Sequence, residues 1–135
     1  MPYYSEMSNQ RLNQCHNLIV KIFNEVIKYY DCKIICGHRT AEAQKEAFES
    51  GHSKLKYPDS KHNQLPSLAI DVAPYPVDWY DTDRFYHFAG FVEAVAIPLL
   101  AGSGYRLRWG GDWDSDREFN DQTFLDLAHY ELEEI

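Results

Sequence analysis

Apolar residues at Leu12, Cys15, Ile19, Ile22, Val26 and Tyr29 recur at intervals of three and four. That spacing lines one face of a helix and predicts a first helix from about Glu6 to Tyr30. A short β-prone run, Lys33 to Cys36, ends at Gly37. The Thr40 side chain can accept the free N–H groups of a following helical turn. A helix is therefore expected from Ala41 to near Gly51, a good C-terminal residue. Residues 51–67 are polar and hold Pro58 and Pro66, so they read as a long loop of the kind that carries function. Leu68 to Ala73 then alternates as a strand, with Leu68, Ile70 and Val72 on one face. Asp71 falls on the other face between Ala69 and Ala73. Pro74-Tyr75-Pro76 breaks the strand. Phe85, Phe88, Val92, Val95 and Leu99 mark another helix, capped by Asp81 or Thr82 and ended or kinked at Pro98. Tyr105, Leu107 and Trp109 alternate with Arg106 and Arg108, which predicts a strand before a turn at Gly110-Gly111. Phe124 to Leu132 is expected to be the last strand. Helices and antiparallel strands in this order imply an α+β fold, a small antiparallel sheet packed with helices. There is no repeat or linker, so residues 1–135 are expected to form a single domain.

Composition narrows the function classes. A chain of 135 residues can bury a core without disulfides or structural metals. An apolar fraction of 44% with 15% aromatic residues fits a globular protein. The formal net charge of -8 has the wrong sign for neutralising phosphates, so a nucleic-acid partner is not expected. The three cysteines, Cys15, Cys32 and Cys36, are an odd number. Along a strand Cys32 and Cys36 would stand about 13 Å apart, beyond disulfide reach, so all three are expected as reduced thiols. The N-terminal residues lack a charged and apolar leader, and no apolar run reaches the ~18 residues of a membrane span. The expectations are a monomer with no membrane partner, made in a bacterial cytoplasm and carried elsewhere only by a separate release route.

Of six histidines, His62 and His129 stand apart. Ser60-Lys61-His62 lies in the polar loop and is followed by Asp71, whose small neighbours leave room around its carboxylate. Aspartate is disfavoured inside strands, so Asp71 is either a solvated edge residue or one with a task. Asp126-Leu127-Ala128-His129 adds a carboxylate and a second histidine. Taken alone it is an ordinary pair. Taken with the others it completes three ligands and a base, the count a catalytic zinc site uses while keeping its fourth position open. Zinc lowers the pKa of water, and a carboxylate accepts the proton.

These residues resemble the D-alanyl-D-alanine metallopeptidase family of zinc peptidases. That family includes D-alanyl-D-alanine dipeptidases and carboxypeptidases and the L-alanyl-D-glutamate endopeptidases of phage endolysins. Ser60, His62, Ala69, Asp71, Asp126 and His129 fall in order on its S-x-H, A-x-D and E/D-x-x-H pattern. Gly37-His38-Arg39-Thr40 resembles its G-x-R-[ST] element, and Arg108 to Trp113 resembles the W-G-G-D-W segment of the endolysin-like branch. The resemblance implies a Hedgehog/DD-peptidase-like fold with Zn2+ held by His62, Asp71 and His129. It implies Asp126 as general base and Arg39 as a cation facing the oxyanion or a substrate carboxylate. Ser60, Trp109, Asp112 and Trp113 become substrate-binding candidates. The implied partner is bacterial peptidoglycan or its peptide fragments, and the endolysin-like segment favours L-alanyl-D-glutamate cleavage. Two departures stand out. Eight residues, Asn63 to Ile70, separate His62 from Asp71, longer than the usual spacer, so Leu65-Pro66-Ser67 is expected to bulge. Asp126 stands where many members have glutamate. Alternatives are a D-Ala-D-Ala carboxypeptidase or dipeptidase, a non-catalytic zinc-bearing domain that binds a wall fragment or protein, and a metal-free structural protein.

Overall fold

The computed structural model describes residues 2–118 and 125–135. Its elements are α1 (Glu6–Leu12), α2 (Asn17–Val26), β1 (Cys32–Cys36), α3 (Ala41–Glu49), β2 (Ala69–Pro74), α4 (Thr82–Leu100), β3 (Tyr105–Trp109) and β4 (His129–Glu134). A 3-10 turn, Lys61–Asn63, interrupts the long loop. The four strands form one antiparallel sheet in the order β1-β2-β4-β3. The expected α+β architecture is what the chain adopts.

The sheet has one apolar and one charged face. Alternation sends Ile70, Val72, Tyr130 and Leu132 into a core completed by Ile19, Ile22 and Phe23 of α2 and Phe88 and Val92 of α4. Phe23 meets the Tyr130 ring edge-on, with centroids 5.6 Å apart, a favourable aromatic geometry. The opposite face carries Asp71, His129, Glu131 and Arg108, because residues two apart on a strand share a face. Helix α1 covers the outer edge of β1: Ser8 Oγ accepts the Ile34 N–H at 3.2 Å, and Arg11 donates to the Ile34 carbonyl at 3.0 Å. An edge strand shielded in this way cannot recruit another chain.

Several expectations need correction. The single helix from Glu6 to Tyr30 is two, separated by Asn13–His16. The backbone there pairs with the long loop, His16 N–H to Ser67 carbonyl at 2.9 Å and Ser67 N–H to Gln14 carbonyl at 2.8 Å. Leu12, Cys15 and Ile19 all remain buried, so the apolar period runs unbroken across a break in the helix. Tyr29 lies beyond α2 and is exposed. Pro98 lies inside α4, which closes two residues later at Leu100. Asp81 occupies the N-cap position of α4 without a side-chain hydrogen bond. The last strand begins at His129 rather than at Phe124, a residue outside those described. Thr40 caps α3 as expected, accepting the Ala43 N–H at 3.2 Å, and the three cysteines are free.

Gly37 is where the loop from β1 crosses α1. A Cβ there would lie 2.2 Å from the Arg11 carbonyl oxygen, far inside van der Waals contact. The Gly37 carbonyl also accepts from His62 Nδ1 at 2.7 Å and Ser67 Oγ at 3.3 Å. Gly37→Ala is therefore expected to destabilise the fold by about 1–3 kcal/mol, as overpacking does. Thermal denaturation would read this as a lowered Tm, and an unchanged Tm would show that the crossing relaxes freely.

Candidate metal centre and active site

The site forms where β2 pairs with β4. Asp71 lies directly opposite His129 in the ladder, and cross-strand partners on one face stand close enough for side chains to touch. His62 reaches them from the 3-10 turn. Ser60 caps that turn, with Oγ accepting the His62 N–H at 3.2 Å and its own N–H donating to Asn63 Oδ1 at 3.0 Å. Ser60 thus orients a candidate ligand through the backbone. The Leu65-Pro66-Ser67 segment does bulge: Leu65 and Pro66 are exposed, and Ser67 turns inward against Gly37 and Ala69.

Three donor atoms converge. His62 Nε2 lies 3.3 Å from Asp71 Oδ1 and 3.3 Å from His129 Nδ1, and the third side, His129 Nδ1 to Asp71 Oδ1, is also 3.3 Å. Each imidazole is held through its other nitrogen. His62 Nδ1 meets the Gly37 carbonyl at 2.7 Å, and His129 Nε2 meets Glu131 Oε1 at 2.7 Å. Such contacts fix tautomer and ring orientation so that the remaining nitrogen points at a metal. The triangle can hold a metal ion. Cys36 Sγ, 3.9 Å from His62 Nδ1, lies behind the ring, on the side of the Gly37 carbonyl.

Asp126 Oδ2 stands 3.9 Å from His129 Nδ1, beside the triangle. Its backbone is set by Gly110, which accepts the Asp126 N–H at 2.9 Å and donates its own N–H to the His129 carbonyl at 2.8 Å. A Cβ on Gly110 would meet the Asp126 carbonyl oxygen at 2.1 Å, so only glycine permits this approach. Arg39 is held by Gln44 Oε1 at 2.9 Å and contacts Asp71 Oδ2 at 3.4 Å. Gln44, fully buried on α3, also donates to Ser53 Oγ at 3.0 Å and the Leu55 carbonyl at 2.6 Å. One amide thereby ties the arginine to the loop that walls the cleft. The cleft, about 230 Å³, is lined by Arg39, Ser60, His62, Trp113, Asp126, His129 and Glu131, together with Lys54, Lys61 and Arg108.

Charge follows this packing. Burial would lower the His62 pKa, but the Asp71 carboxylate overrides it and holds the imidazole at about 10. Burial likewise opposes protonation of His129, whose pKa nonetheless rises through Asp71 and Glu131. Asp71, despite burial, is held far below the carboxylate range by His62 and His129. Asp126 is pushed up, first by burial and then by the charge of Asp71. A carboxylate so placed has the raised proton affinity of a general base.

Two sequence candidates lie elsewhere. Trp109 is 3% exposed and pairs with Tyr130 on the core face. Its indole N–H donates to the Leu127 carbonyl at 2.9 Å, and strand parity keeps the ring out of the cleft. Asp112 is buried on the side of Glu93 and Arg117. Trp113 does reach the cleft, its ring 5.3 Å from that of His129.

Glu131 was not among the sequence candidates. It is 5% exposed, bridges His129 to Arg108 at 2.8 Å and to Lys61 at 3.2 Å, and is held at a pKa of about 2 against its burial chiefly by His129. Its signal was parity: in a strand, Glu131 must share the His129 face. Glu131→Gln is expected to weaken metal affinity about 10- to 100-fold in a chelator competition, and unchanged affinity would remove Glu131 from the site.

Comparisons with known proteins give the chain its relatives. The family described as phage L-alanyl-D-glutamate peptidase matches residues 2–133. The L-alanyl-D-glutamate peptidase of Escherichia phage T5 is 33% identical over 109 residues, 76% of this chain and 76% of that protein. The crystal structure of the Serratia marcescens L-Ala D-Glu endopeptidase ChiX shares the fold, with a TM-score of 0.67 at 21% identity, covering 96% of this chain and 89% of that one. On that match through nearly its whole length, the chain belongs to the phage L-alanyl-D-glutamate peptidase family.

Proposed function

We propose that the chain is a zinc-dependent peptidase that hydrolyses the L-alanyl–D-glutamate bond of peptidoglycan stem peptides. The observation that carries this reading is the 3.3 Å triangle of His62, Asp71 and His129 with Asp126 beside it. Ligands about 2.0–2.1 Å from a tetrahedral zinc stand about 3.3 Å from one another, so this donor set fits the ion. Zinc there supplies Lewis acidity, polarising the scissile carbonyl and making water acidic near neutral pH.

The chain's own groups do the remaining work. Asp126 takes the proton of the attacking water and returns it to the leaving amine. Its side chain is shorter than glutamate's, and the Gly110 contact seats its backbone. Arg39, immobilised by Gln44, offers fixed positive charge to the developing oxyanion or a substrate carboxylate, which needs no reorganisation during reaction. Trp113 forms a wall of the cleft against His129. The cleft gathers Arg39, Lys54, Lys61 and Arg108 beside the carboxylates of Asp126 and Glu131.

Asp126→Ala is expected to fold and keep its zinc while losing turnover, and His62→Ala to lose the metal. Purified peptidoglycan incubated with and without chelator, with the new termini identified by mass spectrometry, distinguishes the outcomes. Chelator-sensitive L-alanine carboxyl ends support the proposal, free D-alanine indicates the carboxypeptidase reaction, and no new ends would leave a binding domain.

A second expectation follows from charge. Histidine must be deprotonated to bind metal, yet Asp71 holds His62 at a pKa of about 10 in the metal-free site. Zinc binding at pH 7 should therefore expel at least one proton, and affinity should fall about tenfold per unit as pH drops. Calorimetry in buffers of different ionisation enthalpy measures the release, and a buffer-independent heat would contradict it.

A further inference from the structure

Another cavity lies between α3 and the segment that follows Leu55. It measures about 450 Å³ and is lined by Ala41, Lys45, Phe48, Glu49, Lys56 and Tyr57, a size usual for small-ligand sites. Helix α3 buries a single side chain, Gln44. Phe48, one turn further along, is 36% exposed, and Tyr57 is 52% exposed. A lone exposed apolar residue is ordinary, whereas aromatic residues gathered on a concave surface mark a contact site. The Lys56 ammonium stands 5.1 Å from the centre of the Phe48 ring, a cation held over a ring face. Lys45 and Glu49 pair at 3.9 Å. The cavity adjoins the catalytic cleft along both walls. Arg39 lines the cleft and Ala41, two residues on, lines the cavity; Leu55 lines the cleft and Lys56, the next residue, lines the cavity. Gln44 ties the walls together, accepting from Arg39 and donating to the Leu55 carbonyl. On either wall the step from cleft to cavity is at most about 7 Å of chain.

We propose that this cavity seats the sugar that carries the stem peptide, an N-acetylmuramic acid ring; the proposal rests on the peptidoglycan-peptidase reading. In peptidoglycan the lactyl group of that sugar acylates the amine of the stem's L-alanine. One residue and one residue-sized lactyl unit therefore separate the scissile carbonyl from the pyranose, about 7 Å of extended chain. A sugar so tethered has to lie just beyond the cleft, where this cavity begins. The lining suits that occupant. A pyranose offers a C–H face that packs on an aromatic ring by dispersion and apolar burial, and hydroxyl and acetamido groups at its edge that need hydrogen-bond partners. Phe48 and Tyr57 supply ring surface, at low conformational-entropy cost, and Lys45, Glu49 and Lys56 supply donors and acceptors. The sugar thus gives the substrate a second anchorage on the N-terminal side of the scissile bond. Stems still attached to glycan are preferred over free peptides.

The test gives the zinc-loaded full chain two substrates. One is an L-alanyl-D-glutamyl stem peptide with N-acetylmuramic acid on its terminal amine, and the other is the same peptide with acetyl there. The kcat/KM should be about tenfold higher on the sugar-bearing peptide, the scale of one stacked ring, with most of the difference in KM. The double variant Phe48→Ala/Tyr57→Ala alters exposed side chains outside the core, so it should fold with normal circular dichroism and zinc content. In it the two substrates should become equal, whereas Tyr57→Phe keeps the ring and should keep the preference. Calorimetry reads binding without turnover. The disaccharide of N-acetylglucosamine and N-acetylmuramic acid should saturate the zinc-loaded chain with a Kd of roughly 1 mM or tighter, and bind the double variant about tenfold more weakly. Equal kcat/KM on the two substrates, no saturable disaccharide binding, or a folded double variant that retains either property would overturn the proposal. A double variant that loses both peptides equally would put a stem residue in the cavity and overturn it as well. If neither peptide is cut, the peptidase reading fails, and the disaccharide titration alone decides the sugar site.

Discussion

The register between β2 and β4 is the constraint on which the rest depends. It sets Asp71 against His129 and Ile70 against Tyr130. A slip of one residue would turn every side chain to the opposite face. Asp71 and His129 would then enter the core, and Ile70 and Tyr130 would face solvent. The apolar packing of Ile70, Val72, Tyr130 and Leu132 against α2 and α4 therefore holds the reactive groups in place from the far side of the sheet. Burial energy on one face is converted into geometric precision on the other.

The charged face is organised as paired ions rather than as loose surface charge. Arg108 and Lys61 converge on Glu131, Glu131 holds His129, and Arg39 touches Asp71. These groups are mostly shielded from solvent, so removing one partner would strand another, a far larger penalty than losing an exposed pair. Asp71 shows the tension most clearly: burial alone would favour its neutral form, but two imidazoles keep it ionised. A divalent cation entering the triangle takes over the role of the imidazole protons, so binding metal and releasing protons are one event.

Close backbone crossings complete the site. Gly37 lets the chain after β1 pass α1 and present its carbonyl to His62, and Gly110 lets the turn after β3 meet Asp126. The turn that begins at Gly110 leads straight into Asp112 and Trp113.

Local periodicity made much of this legible. Alternation around Asp71, the Thr40 cap, the helical stripe of α4 and the order of His62, Asp71, Asp126 and His129 are properties of neighbouring residues, and each is present in the chain before it folds. By itself the sequence determined the α+β class, most elements, the family and the residues that meet as donors. It did not reveal the break at Asn13–His16, because the apolar stripe continues through it and the backbone pairing that stops the helix is made with distant Ser67. The alternation of Trp109 with Leu107 left it equally open to core and cleft; strand pairing sends it into the core, and the turn brings Trp113 to His129. Gln44 was silent because its partners Arg39, Ser53 and Leu55 come from other segments, whereas Glu131 signalled only through the strand parity it shares with His129. Only the tertiary structure could decide these points, because burial, donor spacing and pKa depend on which distant chain segments are brought together.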